Sequence, residues 1–230
     1  MEKKSGEGMS KRIHIVVGHY GSGKTEFAIN YALKLKETCE KVTIADLDIV
    51  NPYFRTNDAK KMLEQRGIRV LASPYAGSNV DIPALPPDVL RLFDSKDSAV
   101  VLDVGGDEDG AVVLGRFHQQ IESEGYEMLF VVNAFRPLTK DADAISEVLC
   151  EVEAASRLKA TGIVNNSNLQ HLTAPEDVLA GQAAAAEAAR RHGIPVAYIS
   201  GLPEALCGLD EQYKESLFPI TRYLDLGYQF

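Results

Sequence analysis

The stretch VVGHYGSGKTEFA, Val16 to Ala28, constrains the fold of this chain more than any other. An apolar strand enters a glycine-rich turn and continues as a helix, and Gly18, Gly23, Lys24 and Thr25 fit the pattern G-x-x-x-x-G-K-[ST]. Glycines let such a loop wrap tightly, so that its backbone N–H groups point inward at phosphate oxygens. The helix that follows adds the positive end of its dipole. Lys24 is placed to neutralise terminal phosphates, and the Thr25 hydroxyl to ligate Mg²⁺. Four specified positions match by chance in roughly one chain in a hundred of this length.

The rest of the sequence repeats the strand-then-helix theme. Ile13–Val17, Val42–Ala45, Val70–Ala72, Ala99–Val104, Met128–Val132, Gly162–Val164 and Pro195–Ile199 read as short buried strands bounded by turn formers. Lys24–Glu37, Asp58–Arg66, Pro87–Phe93, Ala111–Glu124, Ala142–Arg157 and Pro175–His192 read as helices, with Gly181 a candidate break in the last. This alternation predicts an α/β fold of three layers, a mainly parallel twisted sheet with helices on both faces. A length of 230 residues suits one such domain, residues 12–230, after an expected flexible N-terminal tail of residues 1–11. Leu217, Ile220, Tyr223 and Leu224 of the C-terminal tail are expected to pack on the domain.

Composition narrows the function. A formal net charge of −9 repels nucleic acid and anionic membranes, and no Lys/Arg run offsets it. Three widely separated cysteines, Cys39, Cys150 and Cys207, form neither a disulfide framework nor a C-x-x-C half-site, and read as buried or incidental thiols. Without a signal-peptide pattern or an apolar run of spanning length, the expected location is cytoplasmic.

Ligands of parallel sheets sit beyond the carboxyl ends of the strands, and every further motif falls at such an end. In VTIADLDIVNPYFRT a strand delivers Asp46, and Asp48 follows two residues on, so alternation points both carboxylates the same way. In AVVLDVGGDEDG four apolar residues lead to Asp103, an acid placed for Mg²⁺, and Asp103 to Gly106 fits D-x-x-G, in which a glycine N–H can sense a terminal phosphate. The acidic Asp107, Glu108 and Asp109 read as a solvated loop. In TGIVNNSN the amides of Asn165 and Asn166 can both donate and accept at the edge of a base, although asparagine is also common turn chemistry.

Taken together, these four segments resemble the MinD/ParA class of P-loop ATPases, which includes the nitrogenase iron protein and the CobQ/CobB-type domains. The resemblance runs from about Ile13 to Ser200. It implies an ATP-driven switch in which two subunits sandwich nucleotide, hydrolyse it and change affinity for a client protein such as a metalloenzyme. Carried over by position, Gly18 through Glu26 form the nucleotide-binding loop, Asp48 orients the attacking water with Asp46 beside it, Asp103 and Gly106 form the second switch, and Asn166 reads adenine. Lys24, Asp48 and Asp103 would carry catalysis, and Thr25, Asp46, Asp48 and Asp103 the metal site.

One position departs from the class. Where its loop, GKGGxGK[ST], has a lysine after the first glycine, this chain has His19, a ring in place of a long ammonium stem, followed by Tyr20. His19 reads as a side chain that fills the loop, with stacking at the phosphate rim and partner contact as alternatives. Arg55 and Arg136 read as ordinary surface or packing arginines, with supply of the missing charge as the alternative. Two rival functions share the fold: a small-molecule phosphotransferase or ligase of the CobQ/CobB or dethiobiotin-synthetase kind, and a nucleotide sensor that does not hydrolyse.

Overall fold

The computed structural model describes residues 11–47, 59–72, 91–93, 97–105 and 108–224. Among these, eight strands form one sheet: β1 Ile13–Val17, β2 Val42–Leu47, β3 Ile68–Ala72, β4 Ala99–Val104, β5 Tyr126–Val132, β6 Gly162–Asn165, β7 Val196–Gly201 and β8 Leu217–Pro219. Their spatial order is β3-β2-β4-β1-β5-β6-β7-β8, and every pairing is parallel. The chain leaves β1 toward one edge, returns to insert β4 beside it, then builds outward from β5 on the other side. The order therefore reverses around β1, where a crevice opens beyond the strand ends.

A sheet buried on both faces reads as continuous apolar runs, and β1, β2 and β4 are buried along their whole length. One face packs Val16, Ile44, Val101 and Val131 against Phe27, Ala28 and Ala32 of α1, Lys24–Lys36. The other packs Ile15, Leu102, Phe130 and Ile163 against Ile145, Leu149 and Val152 of a helix whose apolar residues recur at helical spacing. Numbered in order after α1, the helices are α2 Lys60–Gln65, α3 Glu108–Gly115, α4 His118–Glu124, α5 Ala142–Ser156, α6 Pro175–His192 and α7 Pro203–Leu206. Three layers and a parallel sheet are thus observed.

Three local differences from the sequence reading have physical causes. The helix expected over Ala111–Glu124 is two: α3 stops at Gly115, which presses on the Ala155 carbonyl, and the His118 ring N–H bonds the Gly115 carbonyl at 2.8 Å. Gly181 does not break α6. A β-carbon there would lie 2.0 Å from Ser167 Oγ, so this glycine is a point of close helix–loop approach. Strand β8 was not legible, because three residues ending in proline carry no period; it forms at the edge, where proline is tolerated. The tail residues do pack: Ile220 and Leu224 are buried, and Phe218 joins a ring cluster with Phe27 at 5.1 Å and Tyr198 at 5.3 Å between centroids. The cysteines are free, with Cys150 and Cys207 exposed rather than buried.

A polar knot sits near the amino ends of the central strands. His14 and Glu127 are register partners on β1 and β5; the His14 Nδ1–H donates to Glu127 Oε2 at 3.0 Å, and the Tyr31 hydroxyl of α1 donates to the same oxygen at 2.5 Å. Burial pushes the Glu127 carboxyl up, but hydrogen bonds from His14 and Tyr31 outweigh it, and the net direction is down from 4.5. A carboxyl lowered by folding adds stability that is present above its unfolded value and lost as pH falls through the folded one. Glu127→Gln is expected to lower the unfolding free energy at pH 7 by about 1–2 kcal/mol. The gap from the parent should close as urea titrations are repeated at increasingly acid pH; equal stability at pH 7 would remove this role.

Candidate functional site

The loop between β1 and α1 is held from β5 and from the end of β6. Gly18, at φ 154°, lies so close to β5 that a β-carbon would sit 2.3 Å from the Val131 carbonyl oxygen. Gly23, at φ 82°, is the N-cap of α1, and a β-carbon there would sit 2.3 Å from Asn166 Nδ2. Both positions exclude side chains on two counts, backbone conformation and space. The Asn166 amide occupies what Gly23 leaves open: Nδ2 donates to the Ser22 carbonyl at 2.7 Å, and Oδ1 accepts from Ser200 Oγ at 2.7 Å. Its neighbour Asn165 points the other way and ties β6 to α6, donating to the Val178 carbonyl at 3.0 Å and to Gln182 Oε1 at 3.2 Å.

The wrapped loop is shaped for an anion. Its N–H groups run into the first turn of α1, Lys24 and Thr25 are buried there, and Ser22 Oγ is buried with no hydrogen-bond partner. Beside it opens a cavity of about 320 Å³, whose lining includes Lys24, Arg136 and Arg222 with Glu26 as the one acid among the described residues. The Glu26 oxygens are occupied, accepting the backbone N–H groups of Tyr223 at 2.6 Å and Leu224 at 3.2 Å. In a chain of net charge −9, this lining is locally cationic.

Asp46 and Asp103 are direct register partners on adjacent strands, and both are buried. By strand alternation they share the face of Ile44 and Val101, the face that α1 covers, so they lie on the same side of the sheet as Thr25. No group of three or more His, Cys, Asp or Glu capable of holding a metal exists among the described residues. The paired carboxylates of Asp46 and Asp103 are oxygen ligands of the kind Mg²⁺ takes one or two at a time. Asp48 and Gly106 lie outside the described residues, as does Arg55.

The structure adds residues that the sequence did not single out. Asn133, fully buried after β5, accepts the Phe135 and Asn168 N–H groups at 3.0 and 3.2 Å and so fixes the loops after β5 and β6 to each other. Asn30 holds a C-terminal strap, residues 220–224, accepting the Thr221 N–H at 2.9 Å and donating to the Thr221 carbonyl at 2.9 Å. The side chain of His19 is turned onto its own loop, its ring N–H donating to the Tyr20 carbonyl at 3.1 Å. Tyr20 is 56% exposed at the mouth of the cavity. Glu26 stands in the cavity wall, where burial pushes its carboxyl up while the two strap N–H groups pull it down, with a net rise.

The strap therefore forms a wall of the cavity through two side chains of α1. Asn30→Ala removes both Thr221 bonds and is expected to cost about 1–2 kcal/mol. Tryptic cleavage after Arg222 should become several-fold faster than in the parent; an unchanged cleavage rate would show that the strap is held elsewhere.

No protein-family model matches the sequence, and no curated protein does. Solved structures do share the fold. The cell division protein FtsY of Thermotoga maritima aligns at 22% identity with a TM-score of 0.57, over 86% of this chain and 64% of that one. The signal recognition particle receptor FtsY of Elizabethkingia anophelis aligns at 20% identity with a TM-score of 0.52, over 83% and 58%. A nucleotide-binding protein of Archaeoglobus fulgidus in complex with ADP aligns at 14% identity with a TM-score of 0.49, over 80% and 79%. The chain thus spans less than two thirds of the length of these FtsY proteins. At such identities the likeness is one of fold: the three-layer P-loop NTPase architecture, without singling out the MinD/ParA class.

Proposed function

We propose that this chain is a Mg²⁺-dependent ATPase of the MinD/ParA class that acts as a nucleotide-driven switch on a client protein in the cytoplasm. The observation that carries the reading is a wrapped, glycine-dependent anion cradle opening into a cavity of about 320 Å³ lined by three cations in an acidic chain. A polyphosphate nucleotide supplies the matching charge and length. When bound, Mg²⁺ neutralises charge on the transferring phosphate. Thr25, Asp46 and Asp103 are the described residues of this chain proposed to hold it, with Asp48.

Hydrolysis in this reading is in-line attack of water on the terminal phosphate, with catalysis from positioning and charge neutralisation. Lys24 and the loop N–H groups bind the phosphates, and Asp48 orients the water. Adenine is proposed over guanine because the sequence holds no N-K-x-D motif, whose carboxylate would take the N–H donors of guanine. One FtsY structure of Elizabethkingia anophelis holds GDP, and its identity to this chain is 18%. Asn166 retains a second N–H and a second lone pair for a base edge.

A nucleotide-dependent homodimer is supported by the surface around the cavity. Tyr20, Phe135, Leu138, Leu169 and Leu172 are exposed, and all lie in loops beyond the carboxyl ends of β1, β5 and β6. Exposed apolar side chains in these segments suit a protein surface, and the net charge of −9 disfavours a nucleic acid or an anionic membrane. The test is the light-scattering mass of Asp48→Asn protein, first with Mg·ADP and then with Mg·ATP. The variant should bind ATP, turn it over about 100-fold more slowly than the parent, and double in mass only with ATP. Retained turnover would remove Asp48 from catalysis, and constant mass with ATP bound would favour the phosphotransferase reading.

A further inference from the structure

The loop after β5 carries an arginine that lies on the phosphate cradle. Arg136 Nε donates to the Gly21 carbonyl at 3.1 Å, and its stem covers Gly21 so closely that a β-carbon there would be 3.1 Å from Nε and 3.5 Å from Cζ. Its backbone is fixed on both sides: Arg136 N–H donates to the Asn133 carbonyl at 3.0 Å, and Thr139 N–H donates to the Arg136 carbonyl at 3.0 Å. The guanidinium lines the same cavity as Lys24. Its one side-chain bond to the described residues uses Nε alone, and no carboxylate among them pairs with it.

We propose that Arg136 is a phosphate-binding residue supplied by the same subunit, with Nε fastened to the loop and the two Nη groups donating to the phosphate chain of the bound nucleotide. The chemistry is that of a guanidinium fork, which is always charged and makes charge-assisted bonds to phosphate oxygens. A neutral carbonyl takes one of its donors and orients the plane, leaving the Nη donors and the whole positive charge for an anion. His19 is turned onto the Tyr20 carbonyl, so the loop gains its second cation from the β5 side. The inference rests on the nucleotide reading above.

Binding of a fluorescent ATP analogue with Mg²⁺ tests it, titrated at several salt concentrations against the parent, Arg136→Gln and Arg136→Lys. The glutamine variant should bind about tenfold more weakly. It should also lose affinity less steeply with added salt, because one charged contact is gone. The lysine variant, which restores the charge without the fork, should recover part of both. Apo melting temperatures near the parent's would show that the loop still folds. Equal loss in both variants with the parental salt dependence would reduce Arg136 to a clip on Gly21 and overturn the assignment, as would unchanged binding in both. If the parent itself failed to bind the analogue, the nucleotide reading would fall and this inference with it, a result distinct from either.

Discussion

The site depends on a single buried amide. Asn166, at the end of β6, donates to the Ser22 carbonyl and accepts from Ser200 at the end of β7, and it stands where a side chain on Gly23 would be. Loops are ordinarily the least fixed part of an α/β fold, yet here three strand ends share one set of hydrogen bonds. Because the amide is only 2% exposed, a lost partner would leave a buried polar group unsatisfied, at a cost of about 1–3 kcal/mol. The shape of the anion cradle is therefore enforced from the sheet and does not rest on the loop alone.

The same logic extends outward. Asn133 welds the loop after β5 to the loop after β6, and Arg136 reaches from the first of these to Gly21. On the other side, Glu26 and Asn30 of α1 hold the C-terminal strap that walls the cavity. The helix that begins at the cradle thus also anchors residues almost 200 positions later in the chain. The first turn of α1 is thus hydrogen-bonded directly to the strap.

Charge separates this cavity from the rest of the molecule. A chain of net charge −9 concentrates Lys24, Arg136 and Arg222 around one opening and spends the local carboxylate, Glu26, on backbone N–H groups. Asp46 and Asp103 stand side by side as register partners, buried on the sheet face that α1 covers.

The layered parallel fold, the wrapped loop and the candidate positions of Lys24, Thr25, Asp46 and Asp103 were legible in the sequence alone, because each is a local matter of apolar runs, glycine placement and helix starts. Strand β8, the unbroken α6 and the split of α3 from α4 were not, since each is decided by a contact with a distant segment: an edge to join, a close approach to Ser167, a press against Ala155. The roles of the polar side chains divide the same way. Asn165 and Asn166 are adjacent and chemically identical, and only the topology sends one to α6 and the other to the loop. Arg136 reads in sequence as one surface arginine among many; what distinguishes it is that β5 lies beside β1, which carries its loop onto Gly21. Local periodicity and turn chemistry located most of the strands and helices, whereas the site required knowing which strand ends become neighbours, a property of the sheet order that no stretch of the chain encodes by itself.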